Sequence, residues 1–346
     1  MEENKANEAM ETQYKKMKVI VYTKYGPPDV LQLKEIEKPT PKDGEVLVKV
    51  HAASVNAADW HLLRGDPFLF RLIFGLLKPK NNMLGADIAG RVEAVGRNVK
   101  QFQPGDDVFG DIYGCGCGAF AEYVSVPENV LALKPTNMTF EEAAAVPRAA
   151  VVALQGLRDK GKVRSGQKVL INGASGGVGT FAVQIAKSFG AEVTAVCSTR
   201  NLDMVRSIGA DHVIDYTQED FTKSGQRYDL IIAANGYHPI LDYRRALSPN
   251  GICVTTGGSM AQIVQGLLLG PLISMIGSKK MVSLMAKPNN MDLVFVKQLL
   301  EAGKAVPVID RRYPLSEVPE AIRYVEEGHA KGKVVITLEH NPREGD

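Results

Sequence analysis

Four cysteines and a net charge of only +2 in 346 residues each close off a class of function. Cys115, Cys117, Cys197 and Cys253 are too few and too unevenly spaced for a disulfide framework, so the thiols read as free in a reducing compartment. The charge balance leaves no broad cationic field for nucleic acid. Long apolar runs are missing as well. The longest, residues 261–277, is interrupted by two glutamines, three glycines and Pro271, and is too short and broken to span a bilayer. The first 16 residues are polar, lack the apolar core of a signal peptide and read as a disordered extension. A cytoplasmic chain with no stable membrane insertion is expected.

What remains is an ordinary globular balance, 45% hydrophobic and 23% charged, in a chain long enough for about two domains. Residues 17–138 hold short β-branched runs such as "KVIVYTKYG", "GEVLVKVHAASVN" and "AFAEYVSV", punctuated by Gly, Pro and Asp. They read as a β-rich domain. The texture changes at Thr139, which with Glu142 forms a capping box ahead of the Ala-rich helix "TFEEAAAVPRAAVVALQGL". From Lys168 strands and helices alternate, as in a doubly wound parallel sheet, and "KKMVSLMA" is a candidate sixth strand. The tail carries a helix over 293–302, the segment "VPVIDRRYPL", a helix opening at Ser316 and a closing strand "GKVVITL". It either completes the sheet or returns to the first domain.

The strongest local signal is "KVLINGASGGVGTFAVQIAK", a strand, a glycine-rich turn and a helix in that order. Glycines let a pyrophosphate approach backbone N–H groups at a helix start. Ala174 breaks the strict G-x-G-x-x-G pattern, but Gly173, Gly176, Gly177 and Gly179 crowd the turn. Ser175, Gly176, Gly177 and Val178 are the candidate phosphate-binding residues. An NAD site places a carboxylate at the end of the second strand. Here that strand runs into "CSTRN", with no acid before Asp203. Ser198 and Arg200 stand in its place, a hydroxyl and a guanidinium suited to a 2′-phosphate, and Tyr216 ends the next strand. The reading is NADP(H).

These segments, with "YTKYGPPDVLQL", "VKVHAASVNAADW", "GADIAGRVEAVGRNVKQFQPGDDVFG" and "GAFAEYVSVP", resemble the medium-chain dehydrogenase/reductase superfamily, and within it the zinc-less quinone oxidoreductase and enone reductase branch. The resemblance implies α/β plus β architecture. A Rossmann doubly wound sheet, residues 139–286, is inserted in a β-rich catalytic domain built from 17–138 and 287–346. It also implies a homodimer, often joined through an edge of the nucleotide-binding sheet. Zinc-dependent relatives carry Cys near the place of Asn56 and Gly-His-Glu where this chain has Gly85-Ala86-Asp87. Their structural zinc lobe holds four cysteines, whereas Cys115 and Cys117 stand one residue apart with no further thiols nearby. No metal is expected.

Without a Lewis acid, simple alcohols lose their activation. A hydrophobic enone or quinone still accepts hydride at carbon, and its developing oxyanion needs only hydrogen-bond donors. Asn56 is the candidate donor, and Asp59 either orients it or caps the local helix. His51 and His61 read as packed or surface residues. Many members of the branch place a Thr where this chain has Val152, and Arg148 is unusual in so apolar a run. The apolar segments 66–80 and 261–277 read as an apolar lid and mouth for substrate, as a dimer interface or local core, or as a membrane-surface contact. Two other functions compete: an alcohol dehydrogenase with unrecognised metal ligands, and a non-catalytic NADPH-binding regulator.

Overall fold

The computed structural model describes residues 16–258, 260–275 and 277–339. The extension read over residues 1–16 therefore lies, except for Lys16, outside the described residues.

The chain opens with β1 (Lys16–Val21) antiparallel to β2 (Gln32–Glu37). Then come β3 (Glu45–Val55), α1 (Ala57–Arg64), α2 (Phe68–Phe74), β4 (Asp87–Val95), β5 (Asp107–Asp111), β6 (Tyr123–Pro127), β7 (Leu131–Leu133) and α3 (Phe140–Ala144). Next are α4 (Pro147–Leu154), β8 (Lys168–Asn172), α5 (Gly177–Ser188), β9 (Glu192–Cys197), α6 (Leu202–Ser207), β10 (His212–Asp215) and β11 (Tyr228–Ala233). They are followed by α7 (Ile240–Ala246), β12 (Leu247–Thr255), α8 (Met260–Met275), β13 (Lys280–Ser283) and α9 (Asn290–Glu301). The chain closes with β14 (Ile309–Pro314), α10 (Val318–Glu326) and β15 (Lys333–Thr337).

Two compact units result. Of the described residues, one holds those up to Pro147, Pro288–Val294 and those from Ile309; the other holds those within Arg148–Lys287 and Phe295–Val308. In the first, strands β14-β15-β3-β4-β5-β7 lie in that order, with β6 also on β3. Two register shifts between β3 and β4, at Leu47/Val48 and Val50/Ala52, bend the sheet around a core that includes Leu63, Ile88, Ile112, Phe120 and Val334. Helix α10 buries Val318, Ala321 and Ile322. Arg64 grips Glu326 through two bonds of 2.8 and 3.0 Å, tying α1 to α10.

The second unit is a six-stranded parallel sheet in the order β10-β9-β8-β11-β12-β13. Its central strands read as continuous apolar runs because both faces are covered: Val169–Ile171 and Leu230–Ala233 are wholly buried. Helix α5 turns Phe181, Ala182, Ile185 and Ala186 inward. The sixth strand expected in "KKMVSLMA" is β13, and it forms the sheet's outer edge. Leu284 N–H donates to Thr255 of β12, so by alternation the Met281 N–H and C=O face away from the sheet. Ser274 of α8 meets them: its Oγ accepts from Met281 N–H at 2.9 Å and lies 3.2 Å from the Met281 carbonyl. The helix thereby covers the sheet edge.

Two details differ from the sequence reading. The single helix expected from Thr139 is two, because Pro147 has no N–H to give the preceding turn and starts a new helix instead. Residues 295–308 group with the nucleotide-binding unit rather than with the rest of the tail. Phe295 stacks on Phe189 at 6.2 Å, and Gln184 exchanges bonds of 2.9 and 2.8 Å with the Val306 backbone. Among the described residues no helix is long and apolar enough to cross a membrane.

Replacing Phe120, wholly buried in the first unit's core, by Ala is expected to cost about 3–5 kcal/mol. Urea unfolding monitored by circular dichroism measures it.

Candidate functional site

Strand order reverses at β8, which has β9 on one side and β11 on the other. In such a sheet the crevice outside the strand ends at this point is the ligand position. Two glycines there have no substitute. Gly173 has φ +83°, and a Cβ on it would lie 2.7 Å from Asn235. A Cβ on Gly179 would lie 2.1 Å from the Gly173 carbonyl oxygen, so α5 packs on the strand only with glycine there. Gly176 caps α5, and Ser175, Gly176, Gly177 and Val178 make up the turn. The first-turn N–H groups of a helix have no partner within it and favour an anion.

Beyond β9, Ser198 accepts from Asn201 Nδ2 at 3.2 Å, and Thr199, Arg200 and Tyr216 are exposed. Tyr216 N–H donates to Cys197 O at 3.1 Å, which holds it beside the end of β9. The structure brings the nucleotide-site candidates of this unit to one end of the sheet. It adds a residue the sequence reading passed over. Asp215 ends β10 in register with Cys197, so a carboxylate does stand beside the second strand. It is engaged by Thr199 Oγ and by the Thr217 hydroxyl and N–H, the last two at 2.7 and 3.0 Å. These bonds, Thr199's foremost, hold the carboxyl below its usual range.

Asn56 belongs to the other unit, where three neighbouring strands converge. β3 ends one residue after Ser54, β4 begins at Asp87, and β15 begins at Lys333; Ser54 pairs with Asp87 and Val334 with Val55. Asp87 Oδ2 collects Ser54 Oγ at 2.8 Å, Asn56 Nδ2 at 3.0 Å and Lys333 Nζ at 3.0 Å. Lys333 Nζ also donates to Asn56 Oδ1 at 2.7 Å. Lys333 is 3% exposed and Asp87 0%, so the ion pair is buried, whereas Asn56 is partly exposed. Sequence reasoning missed Lys333. Its only signal was a lysine opening an apolar strand, and its partners lie 246 and 277 residues away.

Asp59 caps α1 rather than reaching outward: its carboxylate accepts from Asn56 N–H at 2.8 Å and Gly85 N–H at 2.9 Å. Burial nevertheless pushes its pKa up to about 6. His51 stacks on Phe140 and His61 on Trp60. Val152 is buried and Arg148 half-buried. Ala86 is buried with no ligating group, and Asp87 faces the Lys333 ammonium. Cys115 is exposed and Cys117 half-buried in a tight turn. Among the described residues no three His, Cys, Asp or Glu side chains come together to hold a metal ion. Of the two apolar segments, the first exposes Phe68, Leu72, Ile73 and Leu77, and the second exposes Leu267, Leu268 and Leu272.

Comparison with known proteins agrees along the chain. Residues 42–136 match the alcohol dehydrogenase GroES-like domain, and residues 208–336 match the zinc-binding dehydrogenase family. A chloroplast envelope quinone oxidoreductase homolog of Arabidopsis thaliana is 35% identical over 93% of this chain and 98% of its own length. A 2-methylene-furan-3-one reductase of Solanum lycopersicum is 37% identical, over 92% of this chain and 79% of its own. The chain is a medium-chain dehydrogenase/reductase. An NADPH-dependent alkenal/one oxidoreductase of Arabidopsis thaliana is 34% identical over 93% of this chain and 80% of its own. The structure of a quinone oxidoreductase from Coxiella burnetii superposes with a TM-score of 0.84 at 30% identity, covering 94% of this chain and all of that one. As a medium-chain dehydrogenase/reductase the chain is an oxidoreductase, with the β-rich and parallel-sheet units of that fold.

Two outcomes follow. Gly179→Ala is expected to abolish measurable dinucleotide binding, read by fluorescence titration, because the helix has to move off the turn. Asp59 makes stability pH-dependent. Its folded pKa of about 6 exceeds the ordinary 3.8, so between those values the folded chain holds a proton that the unfolded chain has lost. Its contribution is full below about pH 4, falls by about 3 kcal/mol as pH rises to 6, and is flat above. Denaturation at several pH values is expected to show this component in the parent and not in Asp59→Asn.

Proposed function

We propose that this oxidoreductase is an NADPH-dependent, zinc-independent reductase that passes hydride to the carbon of a hydrophobic α,β-unsaturated carbonyl or quinone. The observation that carries the reading is the Lys333–Asp87–Asn56 cluster. At the positions where zinc-dependent relatives place ligands, this chain has an oriented amide, an alanine and a carboxylate, the last paired with the buried Lys333 ammonium. Asn56 Oδ1 is fixed by Lys333 and one Nδ2 hydrogen by Asp87, with Ser54 O only at 3.5 Å. The second Nδ2 hydrogen is the donor available to a substrate oxygen as charge builds on it. A preorganised dipole beside a fixed positive charge suits an oxyanion, but it gives no base strong enough for a simple alcohol.

A bound nicotinamide dinucleotide supplies the hydride. Ser175, Gly176, Gly177 and Val178 would hold its pyrophosphate, in a cradle that a Cβ at Gly173 or Gly179 would fill. Ser198, Arg200 and Tyr216 would hold its adenosine end. Arg200 favours the 2′-phosphate, and Asp215, already engaged by Thr199 and Thr217, opposes it less than a bare carboxylate would. The name of the NADPH-dependent relative supports the same choice. The four free thiols suit a cytoplasmic protein. A homodimer is part of the reading.

The test is NADPH oxidation against a panel of enals, enones, quinones and simple alcohols. Turnover of the conjugated acceptors and none of the alcohols is expected; bound NADPH with no turnover on any acceptor overturns the proposal. Arg200→Ala is expected to weaken NADPH by about 1–3 kcal/mol and to leave NADH nearly unchanged. Titration calorimetry with both cofactors checks it, and equal losses contradict the assignment.

A further inference from the structure

Helix α8 is turned inside out for a soluble chain. The side that meets β13 is small or polar: Gln262, Gly266 and Gly270 are buried, and Ser274 bonds the strand backbone. A Cβ on Gly266 would stand 2.7 Å from Ser283 Oγ, and one on Gly270 3.0 Å from Met281 O, so the helix lies as close to the strand as glycine allows. The leucines face the other way. Leu268 is 67% exposed, Leu272 59% and Met275 81%, with Val264 and Leu267 beside them. Leu241, on the neighbouring helix α7, is exposed as well. Among these residues no charged side chain interrupts the apolar surface.

Where α8 ends, the chemistry changes sharply. A Cβ on Gly277 would lie 3.6 Å from Arg244 Nη2, and Lys279 Nζ donates to the Arg244 carbonyl at 2.9 Å. Burial, and then the nearby charges of Arg227 and Arg244, lower the Lys279 pKa. Lys280 is exposed next in sequence. The acid of this region, Asp242, is held by Arg245. An apolar helical face thus ends in a cluster of like charges. The cations lie at the amino ends of the strands, Lys280 opening β13, and α8 runs to them from the carboxyl end, where Gly266 meets Thr255 and Ser283.

We infer that α8 lays its leucine face on an anionic lipid bilayer, with Arg227, Arg244, Lys279 and Lys280 at the head groups. Charge complementarity selects this occupant. An anionic bilayer meets both parts of the patch at once, the leucine face and the cations at its end. Ser274 already engages the Met281 backbone on the β13 edge. At 16 residues the helix lies on the surface and does not span it.

The test is co-sedimentation of the full chain with phosphatidylglycerol–phosphatidylcholine vesicles and with phosphatidylcholine alone, alongside sedimentation velocity without lipid. Binding to the anionic vesicles is expected, at least about tenfold weaker on the neutral ones. Leu268→Ser/Leu272→Ser and, separately, Arg227→Gln/Lys280→Gln are each expected to weaken it about tenfold or more. The leucine variant should keep the parent's oligomeric state and its turnover of a water-soluble acceptor, which shows that it is folded. Parent protein that stays in the supernatant with anionic vesicles overturns the inference. So does a leucine variant that binds vesicles as the parent does but sediments as a smaller species, for then the face joins subunits.

Discussion

The buried contact between Lys333 and Asp87 organises the catalytic unit. Neither charge reaches water, so neither tolerates loss of the other: removing one partner of such a pair typically costs about 3–5 kcal/mol. The pair also fixes what surrounds it. β15 must lie against β3 to bring Lys333 up, β4 must lie on the other side to bring Asp87, and Asn56 is drawn between them with its amide turned one way only. A well-packed apolar trio at these positions would fold at least as well. The chain instead keeps a desolvated cation next to the one partly exposed amide, an arrangement whose electrostatic strength comes from the low dielectric around it.

The nucleotide unit solves its problem with backbone rather than side chains. The parallel sheet reverses its order at β8, and the turn that follows leaves room because Gly173 and Gly179 carry no side chain. The departure from the usual glycine spacing is a displacement, not a loss. Ala174 occupies the first position of the pattern, and Gly173, one residue earlier, adopts the positive φ that the tight turn requires. Gly179 then serves the close packing of helix on strand.

This contrast explains what could be read from the sequence. The turn, the parallel strands and the capping box at Thr139 are set by neighbours within a few residues, so a local reading reaches them. Lys333 is different: it looks like any lysine at a strand start until β3 and β4 are placed beside it. Asp215 escaped for the same reason. Counting along the chain from the glycines examines the end of β9, but the carboxylate arrives from the adjacent strand, across the sheet. Pro147 was visible but outweighed by the helical composition around it. The leucines of α8 were visible too, yet apolar periodicity by itself says which residues share a face, not which face the fold buries.

That last point bears on how the nucleotide unit manages its boundary. A sheet edge is a hazard because its unpaired backbone groups recruit other strands. Here Ser274 answers the Met281 N–H and C=O, and Gly266 and Gly270 let the helix come near enough for it to do so. Small residues must therefore face inward, and the bulky ones of a predominantly apolar helix have nowhere to go but out. Covering the edge in this way converts a hydrogen-bonding liability into a hydrophobic one. Polar substitutions on the outer face would remove that second liability without disturbing Ser274 or the glycines, since the two faces are independent. Capping the edge thus permits the apolar outer face without requiring it. That face needs a separate cause, and the cationic cluster at the helix end shares that surface with it.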